Sequence, residues 1–580
     1  MMSKTLHRVA FLKCSLILVV ILNSMCVRSQ STVVGYLSDK ETITKGQALF
    51  QQRCASCHNF KQQGIGPNLS GVTKLASRDW LVKFITNSQQ LVKSGDKRAV
   101  AVFNQFKVPM PSNPDFTSQE MTALLSFINT YKSTTSNTAV DKTALGLGPA
   151  KVNPVPAKIP RSNLVLQLEE LMTAPATADK IPLARINQMT VLKGKGERVF
   201  IEDLRGQLYE LKNKSLRVVL DISKDFPSFV HSPGHANGFG SYAFHPEFYK
   251  NGLFYTTHTE KAGTATADFS YPDSVRVTMQ WVLTEWKIDN PASDTFTGKS
   301  RELMRINVPT QIHGVQQITF NPLVSPGSAD YGLLYIGVGD GGSAEMGNAY
   351  LCNSNTRIWS SVIRIDPAGT NSLNGKYGIP DSNPFAKDNI PATLGEIYAR
   401  GFRNPNRISW SPDGKMLIAD IGLNNIEELN IGVAGADYGW PVREGTFLMN
   451  YKGKMNKVYS LPPGKTKYVY PVVQYDHDEG NAISAGFVYE GGIPLLKDKY
   501  IFGDIVQGRV FYVDNDSLIP GRQAKIKEFS LLFNHEPSDF QTVTKNGKAD
   551  LRFGIGANNV LYLFTKTDGK IWEVKGCVEK

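Results

Sequence analysis

The sequence predicts two unlike folds in one chain. A small all-α module occupies residues 35–132, and an all-β domain, a six-bladed β-propeller, occupies residues 161–580. Three observations carry this reading. First, from residue 161 onward a turn followed by a short aromatic and β-branched run recurs six times, as in Asn251-Gly252-Leu253-Phe254-Tyr255, Tyr331-Gly332-Leu333-Leu334-Tyr335 and Asn558-Asn559-Val560-Leu561-Tyr562. Propeller blades of short strands read this way, although two stacked sandwiches would read similarly. Second, in the front part Met121, Leu124, Leu125 and Ile128 recur at i, i+3, i+4 and i+7, a helical period. Third, residues 133–160 open on Ser133-Thr134-Thr135-Ser136 and continue with Pro149, Pro154, Pro156 and Pro160, the composition of an extended linker.

Composition fits a protein with buried cores: of 580 residues, 41% are hydrophobic and 20% charged, which excludes a disordered polymer. The 50 glycines and 31 prolines supply turns. The net charge is +12, but Lys4, Arg8, Lys13 and Arg28 contribute four positives to a front end without acids. The remaining chain is only mildly basic and has no run of five basic residues. Nucleic acid as a partner is therefore excluded.

Residues 1–29 read as a secretory signal. Lys4, Arg8 and Lys13 precede the apolar run Leu16 to Leu22, and Val27-Arg28-Ser29 suits cleavage. The run is short for a bilayer span, a membrane anchor being the alternative, and Cys26 is an alternative lipidation site. No other stretch reaches 18 apolar residues. The expectation is a periplasmic or secreted chain without a membrane span after processing. Cys352 and Cys577 would then be able to pair, a question the sequence leaves open.

Within the α module, Thr44–Gln52 reads as a short helix carrying Gly46 and Phe50. It leads into Cys54-Ala55-Ser56-Cys57-His58. Two thiols at this spacing can attach a haem through its vinyl groups, with His58 as an axial iron ligand. The alternative for a bare C-x-x-C is a redox dithiol. Downstream, Gly66-Pro67-Asn68-Leu69 is a rigid turn placed to brace the histidine, and Met110 sits in the proline-fixed loop Val108-Pro109-Met110-Pro111. A Met110 thioether would complete a His/Met pair. Thr117-Ser118-Gln119-Glu120 is a capping box opening the last helix. Over about 100 residues this pattern resembles class I c-type cytochromes. The resemblance implies one covalent haem c held by Cys54 and Cys57, with His58 and Met110 on its iron, and electron transfer rather than oxygen chemistry. The linker would keep this module at high effective concentration beside its neighbour.

In the β domain four stretches stand out: His235-Ala236-Asn237-Gly238 with Phe244-His245-Pro246; His313 with Gly337-Val338-Gly339-Asp340-Gly341-Gly342; Arg403-Asn404-Pro405 with Ala419-Asp420-Ile421-Gly422; and Ala436-Asp437-Tyr438-Gly439-Trp440-Pro441. Together these resemble the glucose/sorbosone dehydrogenase family, the soluble quinoprotein sugar dehydrogenases, over most of residues 165–575. The resemblance implies oxidation of an aldose or related alcohol with pyrroloquinoline quinone and calcium. It makes His313 the base, Asp340 the group that fixes its tautomer, and Arg403 and Asn404 the contacts to quinone and substrate oxygens. Gly422 and Leu423 match carbonyl ligands of the calcium. Arg509 matches a partner for a quinone carboxylate. His245 reads as structural and His477, among acids, as a reserve site residue.

The chain departs from the glucose enzymes at Ile312, Ala236, Ile421, Leu423 and Glu490. The implied partners are a sugar or alcohol and a downstream acceptor such as a cytochrome or terminal oxidase. The alternative is a non-catalytic, partner- or carbohydrate-binding propeller like that of the hedgehog-interacting protein, carrying an electron-transfer haem.

Overall fold

Asp39 starts the first helix. Its carboxylate accepts the Thr42 amide at 2.8 Å, so α1 (Lys40–Arg53) begins four residues before the expected Thr44. A computed structural model describes residues 35–580 apart from 56, 61–64, 107, 133–146, 195, 233–235, 389, 454 and 462–466. The export segment expected over 1–29, the first half of the linker and His235 lie outside the described residues.

Helices α2 (Val72–Leu75), α3 (Arg78–Lys93), α4 (Lys97–Phe106) and α5 (Ser118–Thr130) complete the front module. The capping box forms as expected, with the Thr117 amide donating to Glu120 Oε2 at 2.9 Å and the Glu120 amide to Thr117 Oγ1 at 3.2 Å. Helices α1 and α5 touch at Gly46. A Cβ there would lie 2.0 Å from the Ala123 carbonyl oxygen, so only glycine allows this approach. Phe50, Phe60, Phe127 and Tyr131 stack beside the crossing. Helix α3 breaks at Asn87 (φ −156°, ψ 82°). The carbonyls freed there, Ile85 and Thr86, accept the Asn113 amide, and Ser88 Oγ donates to the Met110 carbonyl at 2.8 Å. The break thereby anchors the methionine loop.

The β domain is a six-bladed propeller. Blades one to five are four-stranded antiparallel sheets starting at Ile186, Phe239, Gln317, Pro405 and Ile483. The sixth takes three strands from the C-terminus, Leu551–Ile555, Leu561–Thr565 and Lys570–Glu579. Its fourth strand is Arg161–Thr173, which pairs antiparallel with Lys570–Glu579 and runs parallel to the outer strand of blade five. Closing the ring with the first strand of the domain leaves it without a free end. Apolar clusters fill the blade interfaces, for example Trp281, Leu303, Ile336 and Trp359 between blades two and three.

The linker is less free than its composition implies. From residue 147 it lies on the propeller: the Lys151 amide donates to Val458 at 2.8 Å and the Val155 amide to Asp476 Oδ2 at 3.0 Å. Cys352 and Cys577 are both free thiols, the first buried near Trp440 and the second on the last strand of blade six. The pairing left open by sequence is not formed. Among the described residues no helix is long and apolar enough to cross a membrane.

The closing strand gives a direct stability test. Leu166 on it is fully buried among Leu531, Leu563 and Trp572. Leu166→Ala is expected to cost about 2–5 kcal/mol in the propeller's urea transition. A cost near zero would mean that the strand is dispensable to the ring.

Candidate functional site

Propeller topology gathers the chemistry on one face. The connection entering each innermost strand and the loop between a blade's second and third strands lie at the same end of the ring. His313, Arg403 and His477 occupy the first kind of position; Asp340, Gly422 and Arg509 occupy the second.

The front module supplies a cavity of about 620 Å³ at that end. Cys54, Cys57, His58 and Met110 all line it, along with apolar side chains such as Phe84 and Leu124. His58 Nδ1 is 3.0 Å from the Pro67 carbonyl, which turns Nε2 toward the cavity. Gly66 lies flat on the ring; a Cβ would sit 2.4 Å from His58 Cε1. Burial lowers the His58 pKa and favours the neutral form that ligates iron. Burial, with the neighbouring Cys57, pushes the Cys54 thiol up to about 12. Volume, apolar lining and donor set all fit a haem.

The far wall of this cavity belongs to the propeller: His477, Asp478, Asn481, Val506 and Gln507. The two modules also touch beside the cavity. Asn59 Nδ2 donates to the Glu345 carbonyl at 2.5 Å, and Ile65 packs on the cluster containing Ala344, Leu423 and Trp440.

Under that contact lies the second group. His313 Nδ1 is 2.8 Å from Asp340 Oδ1, with Asp340 fully buried. His313 has a left-handed backbone (φ 52°), an uncommon conformation for a non-glycine residue. Gly339 makes room for it, since a Cβ there would meet the His313 carbonyl oxygen at 2.3 Å. Burial alone would raise the Asp340 pKa; the charges of His313 and Arg403 and the hydrogen bond from His313 outweigh it and hold the carboxyl below its usual range.

Arg403, equally buried, pairs through Nη2 with Glu345 and donates through Nη1 to the carbonyls of Ile421 (3.1 Å) and Gly422. Its amide and that of Asn404 are held by Asp420 at 3.0 and 2.6 Å. Burial, reinforced by Glu428, pushes the Asp420 carboxyl well up, and burial raises Glu444.

Among the described residues several buried atoms here have no hydrogen-bond partner: Arg403 Nε, Asn404 Oδ1, Asp340 Oδ2 and Glu345 Oε2. These donors and acceptors fit a ligand bearing carbonyl oxygens together with a cation. The Gly422 carbonyl expected at calcium is bonded by Arg403, and the Leu423 amide donates to Glu444. The ligand atoms that converge instead are those of His313, Asp340 and Glu345, within 4.8 Å of one another.

Arg509 requires a correction. Its guanidinium is committed to Glu528 (2.8 and 3.0 Å) and Glu479 (2.9 Å), so it ties blade five to the loop before it rather than offering itself to a quinone carboxylate. His245 braces its own turn, Nδ1 accepting the Glu247 amide at 3.0 Å. His477 bonds Glu427 at 2.9 Å. Sequence reasoning missed Glu345, Glu427 and Asn59. The signal for Glu345 was present, as an acid five residues past Asp340 in the same glycine-rich loop.

Comparison with known proteins gives two family matches. The model of the glucose/sorbosone dehydrogenase family matches residues 186–528, more than half of the chain, and the cytochrome c model matches residues 43–132. The chain is 28% identical over 335 residues to the HIPL1 protein of Arabidopsis thaliana (50% of this chain, 46% of that one). It is 24% identical over 295 residues to quinoprotein glucose dehydrogenase B of Acinetobacter calcoaceticus (48% and 56%). It thus spans about half the length of these relatives. A solved soluble aldose sugar dehydrogenase of Escherichia coli in the apo-form aligns at 17% identity with a TM-score of 0.47, over 69% of this chain and 98% of that one.

His477 yields a pH prediction. Burial alone would lower its pKa, but the hydrogen bond to Glu427 and the charges of Glu427, Glu444 and Asp504 hold it above the ordinary 6.5. The folded state therefore binds this proton more tightly than the unfolded chain does. The stability so gained is complete below pH 6.5 and is lost as pH rises through the folded pKa. Calorimetric melting of the propeller is expected to fall over that window, and His477→Gln to flatten the fall. An unchanged slope in the variant rejects the assignment.

Proposed function

Because the chain belongs to the glucose/sorbosone dehydrogenase family, we propose that its propeller oxidises an aldose or related alcohol with pyrroloquinoline quinone, assisted by calcium, and that the front module carries the electrons away on a covalent haem c. The observation that carries this reading is the buried His313–Asp340 pair beside Arg403, on the propeller face that also closes the haem cavity. The names of the relatives, a quinoprotein glucose dehydrogenase among them, point the same way. Residues 1–29, read from sequence as an export signal, would make a periplasmic or secreted setting the natural one. There a cytochrome or terminal oxidase takes the electrons.

The residues divide the work as follows. Asp340 accepts the Nδ1 proton of His313 and leaves Nε2 with its lone pair toward the substrate. His313 takes the hydroxyl proton as the C–H hydride departs, and the anionic Asp340 stabilises the imidazolium that results. Bound quinone supplies the hydride acceptor, and bound haem a one-electron acceptor. Arg403 keeps its charge because Glu345 pairs with it, and its unmet Nε faces the charge that builds on the ligand. Cys54 and Cys57 hold the haem, and His58 and Met110 its iron.

A specific observation favours a second reading, a binding propeller with an electron-transfer haem. The HIPL1 protein is among the relatives, and Ala236, Ile312 and Ile421 replace polar positions of the glucose enzymes. Adding quinone and calcium to the full chain separates the two. Dye-linked oxidation across a panel of aldoses and alcohols is expected; neither activity nor quinone binding would establish the binding propeller instead.

Two substitutions refine the assignment. His313→Ala with quinone binding intact should slow oxidation by roughly 10²–10⁴-fold; an unchanged rate rejects it as base. Met110→His should lower the haem reduction potential, since a thioether ligand raises it. A potential equal to that of the parent protein would remove Met110 from the iron.

A further inference from the structure

We propose that Asn59 and Glu345 form the bridge through which electrons pass from the propeller site to the haem; this rests on the functional reading above and adds its route. Asn59 is the next residue after the iron ligand His58. Its side chain is buried, and its Nδ2 donates to the Glu345 carbonyl at 2.5 Å. The Glu345 carboxylate, fully buried, pairs with Arg403 Nη2. From the His58 ring to the Arg403 guanidinium the path therefore runs through covalent bonds, one hydrogen bond and one ion pair.

Electron tunnelling decays less steeply along bonded paths than across gaps, and burial removes water whose reorganisation would slow the transfer. With quinone and haem bound, each transfer would take one electron from the reduced quinone and reduce the haem iron by one unit. Two transfers, with the haem re-oxidised in between by the external one-electron acceptor, would return the quinone and release two protons to solvent.

A rival route exists. His477 lines the haem cavity and bonds Glu427 at 2.9 Å; Glu427 accepts the Gly422 amide at 3.3 Å, and the Gly422 carbonyl accepts from Arg403. It needs three non-covalent links plus a step from the haem to the His477 ring, and one link is long. The Asn59 route is shorter and begins on the residue next to the iron ligand. Ile65 holds the same contact closed by packing on the cluster of Leu423 and Trp440. Asn59 thus meets Glu345 only at its backbone carbonyl, so its removal leaves the pairing of the Glu345 carboxylate with Arg403 in place.

The test uses the full-length, haem-loaded chain reconstituted with quinone and calcium. Asn59→Leu keeps the volume and removes the donor. Dye-linked sugar oxidation and its KM should match the parent, as should the haem potential and the small-angle scattering profile. Single-turnover reduction of the haem after mixing with sugar, followed by its absorbance, should slow several-fold. His477→Leu should leave that rate near the parent value. Asn59→Gln keeps an amide donor and should recover part of the rate. Unchanged haem reduction in Asn59→Leu overturns the bridge, as does a loss confined to His477→Leu. No recovery in Asn59→Gln with an unaltered scattering profile overturns it too. A parent protein that reduces dye but never its own haem refutes the electron-transfer reading itself, and one that reduces neither refutes the dehydrogenase reading.

Discussion

Arg403 is a cation with almost no access to water, and the site is arranged around that constraint. Removing such a charge from solvent costs several kcal/mol unless it is paired and hydrogen-bonded. Here the pairing draws on several parts of the chain. Glu345 comes from the glycine-rich loop of blade three, the carbonyls of Ile421 and Gly422 from a loop of blade four, and Asp420 fixes the backbone that presents the guanidinium. Asp340 adds its field from the other side, where it also orients His313. One buried charge therefore fixes three loops, and two of them carry groups the chemistry needs.

The same loops receive the front module. Asn59 and Ile65 rest on the Glu345 loop and on the cluster around Leu423, and the propeller completes the haem cavity with His477 and its neighbours. The linker follows the ring from residue 147, and with the formed interface it keeps the module close to the propeller. The ring itself depends on its first strand: without Arg161–Thr173 the sixth blade has three strands, and the face that bears the site loses its closure.

Much of this was legible in the sequence, because periodicity and motif spacing are local properties. The helical period of Met121 to Ile128, the capping box at Thr117 and the six turn-strand repeats all correspond to formed elements. His313, Asp340 and Arg403 come together although 90 residues separate the first and last, since blade topology returns each connection to one face. What stayed hidden depends on contacts between distant segments. Nothing local in Asn59 reveals a partner at Glu345, 286 residues away. Arg509 read as free to bind a ligand because its two carboxylates, Glu479 and Glu528, stand 30 and 19 residues off. The linker read as a tether because its proline content is visible and its hydrogen bonds to blade four are not.

The unmet polar atoms weigh on the choice between an enzyme and a binding propeller. Each buried donor or acceptor without a partner costs about 1–3 kcal/mol, and among the described residues four of them cluster around Arg403 and His313. A small ligand that meets those atoms removes that cost. The mixed set, a donor at Arg403 and acceptors at Asp340, Glu345 and Asn404, suits a ligand with carbonyl oxygens and a divalent cation at its side. The residues Ala236, Ile312 and Ile421 are apolar, while the His313–Asp340–Arg403 group is whole. They therefore alter the surroundings of that group and not the group itself.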